Sequence, residues 1–175
     1  ASWLFACGNA ISAACLSERH VVVPVASVDE IWAWLRAVPD PEIPVISVVD
    51  LGIVRDVCWD DDQLVVRLTP TYSGCPATAV IAQDIKSALH SHGIKSLRLE
   101  TQLSPPWTTD WISATGKERL REFGIAPPAP RGTPSVCPRC ASANVNKVSE
   151  FGSTPCKAQY QCRDCLEPFD LFKCI

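Results

Sequence analysis

Between Ser27 and Phe123 the apolar positions switch between helical and alternating spacing, and each switch marks an element. Val28, Ile31, Trp32, Leu35 and Val38 recur at helical spacing. They follow Ser27-Val28-Asp29-Glu30, a capping box in which Ser27 accepts from the Glu30 amide and Glu30 reaches back. Pro39 and Pro41 stop this helix, and Asp40-Pro41-Glu42-Ile43-Pro44 must be extended or turned because two prolines fix φ and remove donors. Two strands come next. Leu51, Ile53, Val57 and Trp59 share one face of the first, and Leu64, Val66 and Leu68 share one face of the second. Asp60-Asp61-Asp62 suits the hairpin turn between them.

After Pro70-Thr71-Tyr72-Ser73-Gly74 the spacing predicts a helix with Pro76 in its first turn. Its buried stripe is Ile81, Ile85, Ala88 and Leu89, and Gly93 caps its end. Leu97 and Leu99 alternate with Arg98 and Glu100 in a third strand, and a last helix is expected from about Asp110 to Phe123. The order helix, strand, strand, helix, strand, helix predicts a small α/β domain over residues 27–124. Residues 125–135 hold four prolines and read as a semi-rigid linker to a module at 136–175. Residues 1–26 show no periodicity. Two readings stay open for them: a natural start near Val21 preceded by a start-site artefact, or a genuine extension packed on the first domain.

Composition narrows the function classes. An apolar fraction of 47% supports a real core, and a formal net charge of −3 argues against a phosphate-binding surface. No apolar run approaches the ~18 residues that span a bilayer. Residues 1–16 are apolar but lack the positively charged start of a secretory signal. The expectation is a cytoplasmic protein with neither a membrane nor a nucleic acid as partner.

The chain has ten cysteines, six of them after residue 136, and clustered pairs suggest metal ligands in a reducing compartment. Cys137-Pro138-Arg139-Cys140 and Cys162-Arg163-Asp164-Cys165 are two CxxC knuckles separated by 21 residues. Two thiolates from each complete a tetrahedral shell, which predicts a structural zinc ribbon. An iron–sulfur cluster on the same four sulfurs is the alternative, since thiolates accept either metal. From 136 to 175 there are five Lys or Arg against four Asp or Glu, so a protein contact or a structural role is favoured over nucleic acid. Phe169 and Phe172 read as ribbon core. Cys156 and Cys174 fall outside the ligand set: buried inert thiols, a second exchangeable metal or redox site, or replacements for a knuckle ligand.

Cys75 stands near the start of the second helix, where unpaired amides and the helix dipole favour a thiolate. It could be structural, a nucleophile or a soft-metal ligand. The histidines are His20, His90 and His92, and the last two lie at the far end of that helix, so a Cys/His hydrolase is disfavoured. Asp40, Glu42 and Asp50 could be paired carboxylates, but nothing in their spacing demands it. Turn formation and capping is the preferred reading for Asp40 and Asp50.

Asp40-Pro41-Glu42-Ile43-Pro44, Val49-Asp50-Leu51-Gly52-Ile53-Val54 and Thr71-Tyr72-Ser73-Gly74-Cys75-Pro76 resemble the signature of the iron–sulfur assembly family that includes the SufT-type proteins, over roughly residues 28–105. The ribbon, with Ser153-Thr154-Pro155-Cys156-Lys157-Ala158 and Phe172-Lys173-Cys174, resembles the PaaD family, the accessory D components of bacterial phenylacetyl-CoA epoxidase, and extends the similarity to residue 175. The resemblance implies a non-enzymatic maturation factor in aerobic phenylacetate degradation. Its partner would be the epoxidase, most directly the iron–sulfur reductase, and its cargo a transient cluster held by Cys75. Glu42 and Asp50 fall in the neighbouring motifs and would shape that site. A homodimer bringing two Cys75 thiolates together is one arrangement. The competing reading is a docking component that carries structural zinc alone.

Overall fold

The computed structural model describes residues 26–129 and 135–173. Residues 1–25, the middle of the proline-rich stretch at 130–134, and Cys174 with Ile175 lie outside the described residues. So do both readings of the N-terminal extension and any role for Cys174.

The first helix, α1 (Val28–Leu35), begins at the expected capping box. The Glu30 amide donates to Ser27 Oγ at 3.3 Å, and the Ser27 amide donates to Glu30 Oε2 at 2.9 Å. Ile31 and Leu35 are fully buried. The helix ends at Leu35, short of Val38, because Pro39 closes off helical continuation. Val38 is buried all the same, and its amide donates to the Leu35 carbonyl at 3.1 Å.

Strands β1 (Val54–Asp60) and β2 (Gln63–Leu68) form the hairpin, with Asp61 at φ 53° in the turn. A bulge between Val54 and Asp56 shifts the register, so Val54 and Val57 are both buried while Arg55 is exposed. Leu51 and Ile53 are buried as expected but belong to the turn before β1. Helix α2 (Thr78–Ser91) then crosses to β3 (Leu97–Thr101), which runs parallel to β2, giving the order β1-β2-β3. Ile31 and Leu35 of α1 share one core with Ile81, Ile85 and Leu89 of α2 and with Val57, Leu64 and Val66 of the sheet. Arg67 and Arg98 pair with Asp56, Asp60 and Glu100 across the strands, all of them substantially solvent-exposed.

Two helix starts differ from expectation. Pro76 lies outside α2, whose N-cap is Ala77, because Tyr72, Cys75 and Thr78 are tied in successive backbone turns before the helix begins. The last helix, α3 (Ala114–Glu122), starts four residues after Asp110. Thr109–Trp111 form a short 3-10 turn, Ile112 is extended, and Ser113 caps α3 by accepting from the Gly116 amide at 2.8 Å.

The ribbon is a second sheet. Strands β4 (Ile125–Ala126), β5 (Val145–Ser149), β6 (Lys157–Cys162) and β7 (Pro168–Phe172) are ordered β4-β7-β6-β5, with β4 parallel to β7. Ile125 and Ala126 therefore belong to the ribbon's sheet, although composition groups them with the prolines; Gly124, at φ +92°, turns the chain into β4. Phe172 is fully buried against Trp107, with ring centroids 5.9 Å apart. It shares the first domain's apolar core, as does Cys156. Among the described residues no helix is long and apolar enough to cross a membrane.

Candidate functional site

Each cysteine knuckle is shaped by its own backbone. The Cys137 amide donates to the Ser142 carbonyl at 2.8 Å, and the Cys162 amide donates to the Glu167 carbonyl at 2.9 Å. Ala141 and Leu166, one residue beyond each second cysteine, take left-handed conformations at φ 61° and 64°. The Asp164 carboxylate ties the knuckles together by accepting from the Ser142 hydroxyl and, at 2.6 Å, from Asn144 Nδ2. Cys137 Sγ lies 3.7 Å from Cys165 Sγ, and Cys140 Sγ lies 3.6 Å from Cys162 Sγ. All four sulfurs fall within 4.8 Å of one another.

A tetrahedron with Zn–S bonds of about 2.3 Å has S···S edges of about 3.8 Å, close to the 3.7 Å and 3.6 Å separations of the two cross-knuckle pairs, so the donor set suits zinc. The amides of Cys165 and Asp164 pull the Cys162 thiol down to about 7, while burial and the crowd of neighbouring sulfurs push Cys165 up to about 12. Four sulfurs close the shell and leave no open position for chemistry.

A different set of groups meets where the ribbon joins the first domain. Cys75, Glu42, Asp40 and Thr71 from the first domain line a small cavity with Cys156 from the ribbon. Its free volume is about 10 Å³, room for roughly one water or one ion. Cys75 is half-buried, held in the turn by its amide's 3.2 Å bond to the Tyr72 carbonyl. The Tyr72 hydroxyl is buried next to Cys75. Burial pushes its phenol pKa up, and the neighbouring Cys75 and Glu42 push the same way.

Cys156 is buried at 5% exposure and lies 3.0 Å from Thr154 Oγ1. Burial raises its thiol pKa, with the Glu42 charge adding to the effect. The loop before it is clasped by Asp170, which accepts from Ser153 Oγ at 2.7 Å and pairs with the buried Lys157 at 3.6 Å. A Cβ on Gly152 would lie 2.5 Å from Asp170 Oδ1, so a larger residue there would push the carboxylate out of the clasp. Outside the cavity is an open groove of about 800 Å³ between the end of α3 and the ribbon. Glu42 lines both the groove and the cavity.

The other carboxylates have structural partners. Asp40 Oδ1 accepts from the amides of Glu42 and Ile43, both at 2.9 Å, which fixes the double-proline turn. Burial pushes its pKa up against those two hydrogen bonds. Asp50 accepts from Ser47 Oγ at 2.9 Å, from Ser113 Oγ at 2.8 Å and from Arg119 at 3.2 Å, so it anchors α3. Gly52, two residues on, sits at φ +76° with the Trp111 Cβ 2.7 Å from where its own Cβ would be, which explains the glycine of that motif. His92 stacks on Trp34 at the far end of α2, roughly 20 Å along the helix from Cys75.

Glu42 and Cys75 are thus brought together, and Asp50 faces α3 instead. The Tyr72 hydroxyl and the Asp170 clasp are not legible in the sequence as site features. The only sequence signal for the clasp is the turn-rich run Gly152-Ser153-Thr154-Pro155 directly before a cysteine.

Residues 28–94 match the iron–sulfur cluster assembly protein family, and residues 129–173 match the PaaD zinc beta ribbon domain. An Escherichia coli K12 protein named as the D component of 1,2-phenylacetyl-CoA epoxidase is 49% identical over 164 residues, covering 90% of this chain and 99% of that one. An Fe-S protein maturation auxiliary factor of Porphyromonas gingivalis is 36% identical, over 55% of this chain and 90% of its own. Another from Bacillus subtilis, YitW, is also 36% identical, over 53% of this chain and 91% of its own. These two are similar to about half of the chain, whereas the E. coli relative is matched almost end to end. The chain therefore belongs to the PaaD family, the D components of 1,2-phenylacetyl-CoA epoxidase, in which an iron–sulfur assembly domain is joined to a four-cysteine zinc ribbon.

Proposed function

We propose that this chain is a non-enzymatic cytoplasmic maturation factor that delivers an iron–sulfur centre to the phenylacetyl-CoA epoxidase, with the iron–sulfur reductase as recipient. The observation that carries this reading is the union, in one chain, of an iron–sulfur assembly segment containing Cys75 with the PaaD-type ribbon. The chemistry is consistent with it. A carrier must release its cargo, and a half-buried thiol at the rim of a small cavity suits release better than four converging sulfurs. The ribbon's four thiolates hold zinc as structure. No histidine base is available to Cys75 among the described residues that would make it a hydrolytic nucleophile.

The test is co-expression of the epoxidase components with wild type or Cys75→Ser, followed by iron and sulfide analysis of the purified reductase. Wild type should give a loaded reductase, and Cys75→Ser a cluster-poor one with the variant chain still folded. Equal loading in both would reject cluster delivery and leave the chain as a docking component with structural zinc.

A further inference from the structure

The buried cavity at the junction joins two thiols from different parts of the chain. Cys75 follows β2 in the assembly domain, and Cys156 precedes β6 in the ribbon. Both are free thiols. Cys156 belongs to the ribbon by sequence, yet it is packed in the first domain's core, away from the four zinc-ligating sulfurs. Its loop is held by the Ser153–Asp170–Lys157 clasp, and its carbonyl accepts from the Lys173 amide at 2.9 Å. Such fastening keeps the thiol at the cavity wall. Glu42 adds a carboxylate, and Asp40 and Thr71 add further oxygens to the same wall. Apolar packing of an inert cysteine explains none of these polar neighbours.

We infer that Cys75, Cys156 and Glu42 form a second, exchangeable site for a soft or borderline divalent metal such as ferrous iron, with the ribbon supplying the second thiolate. The inference rests on the reading of Cys75 as a cargo ligand. It extends that reading by placing the partner thiolate in the same chain, so no second copy is required. Two sulfurs and one carboxylate make a donor set for a borderline metal. A free volume of about 10 Å³ admits a single ion.

Among the described residues, only the four ribbon sulfurs already lie mutually within 4.8 Å. The junction donors must therefore swing inward to bind. That motion weakens the site relative to the ribbon, and weak binding is what a donor of cargo requires. Binding replaces the two thiol protons with the metal, and both protons leave to solvent. The open groove bordered by Glu42 is the side from which a metal or a recipient would approach.

Cadmium-113 NMR on the full-length chain counts sulfur ligands directly, with cadmium also filling the ribbon. Wild type should show one resonance from the four-thiolate ribbon and a second from a shell of two sulfurs plus oxygen. Cys75→Ser and Cys156→Ala should each move the second signal to a one-sulfur shell or remove it, leaving the ribbon signal intact. If the wild-type second site already has one sulfur and is lost only in Cys75→Ser, Cys156 is not a ligand. The inference then falls while the reading of Cys75 survives. If wild type shows the ribbon signal alone, the inference falls together with Cys75 as a metal ligand. A two-sulfur signal that is lost in Cys75→Ser but unchanged in Cys156→Ala would place the second thiolate on another copy of the chain and overturn the inference; Cys156→Ser serves the same comparison if the alanine variant does not fold.

Discussion

Asp40 shows how one side chain can be chosen for geometry at an electrostatic cost. Its carboxylate orders the turn between Pro39 and Pro44 by accepting two amides, yet it is only 4% exposed and burial raises its pKa. A raised folded-state pKa means the fold prefers the protonated acid. Its contribution is fully present below the unfolded pKa and is lost as pH rises through the folded value. Asparagine keeps the accepting oxygen without the charge. Asp40→Asn should therefore gain stability relative to wild type on going from about pH 4 to about pH 7, measured by thermal unfolding at both. A constant difference across that range would show that burial does not govern this group. Asp40 and Asp50 were legible from sequence as turn and cap residues. Two of the three partners of Asp50 were not, because Ser113 and Arg119 lie more than 60 residues away and only packing of α3 brings them close.

Local rules act within a few residues, and elements governed by them were readable. The capping box of α1, the glycine end of α2 and the hairpin turn all fall where spacing puts them. Departures occur where tertiary contacts intervene. The bulge in β1 breaks strict alternation, and α3 is capped by Ser113 and so starts later than the expected Asp110. β4 is two residues long and is stabilised only by pairing with β7, so no periodicity could announce it. Phe172, which sequence assigns to the ribbon core, packs instead against Trp107 in the core of the first domain. Phe172→Ala should cost about 3–5 kcal/mol in chemical denaturation, as for other large buried aromatics. The loss should be felt by probes in the α/β domain. A loss confined to the ribbon would contradict the shared core.

At the scale of the whole molecule, the four-cysteine centre and the α/β domain are mechanically linked through β7 and the loop carrying Cys156. A strong chelator should therefore lower the stability of the entire chain, with tryptophan fluorescence in the first domain and ribbon circular dichroism changing together. Separate transitions would mean that the two units fold independently. The CxxC knuckles were plain in the sequence because their chemistry depends on short spacing. The meeting of Cys75 with Cys156 was not, since about 80 residues of fold separate them and no spacing rule spans that distance.

The most direct test is the iron, zinc and acid-labile sulfide content of anaerobically reconstituted wild type and Cys75→Ser. The account predicts that both retain the ribbon zinc and that only wild type holds iron and sulfide. Zinc alone in both proteins would contradict it.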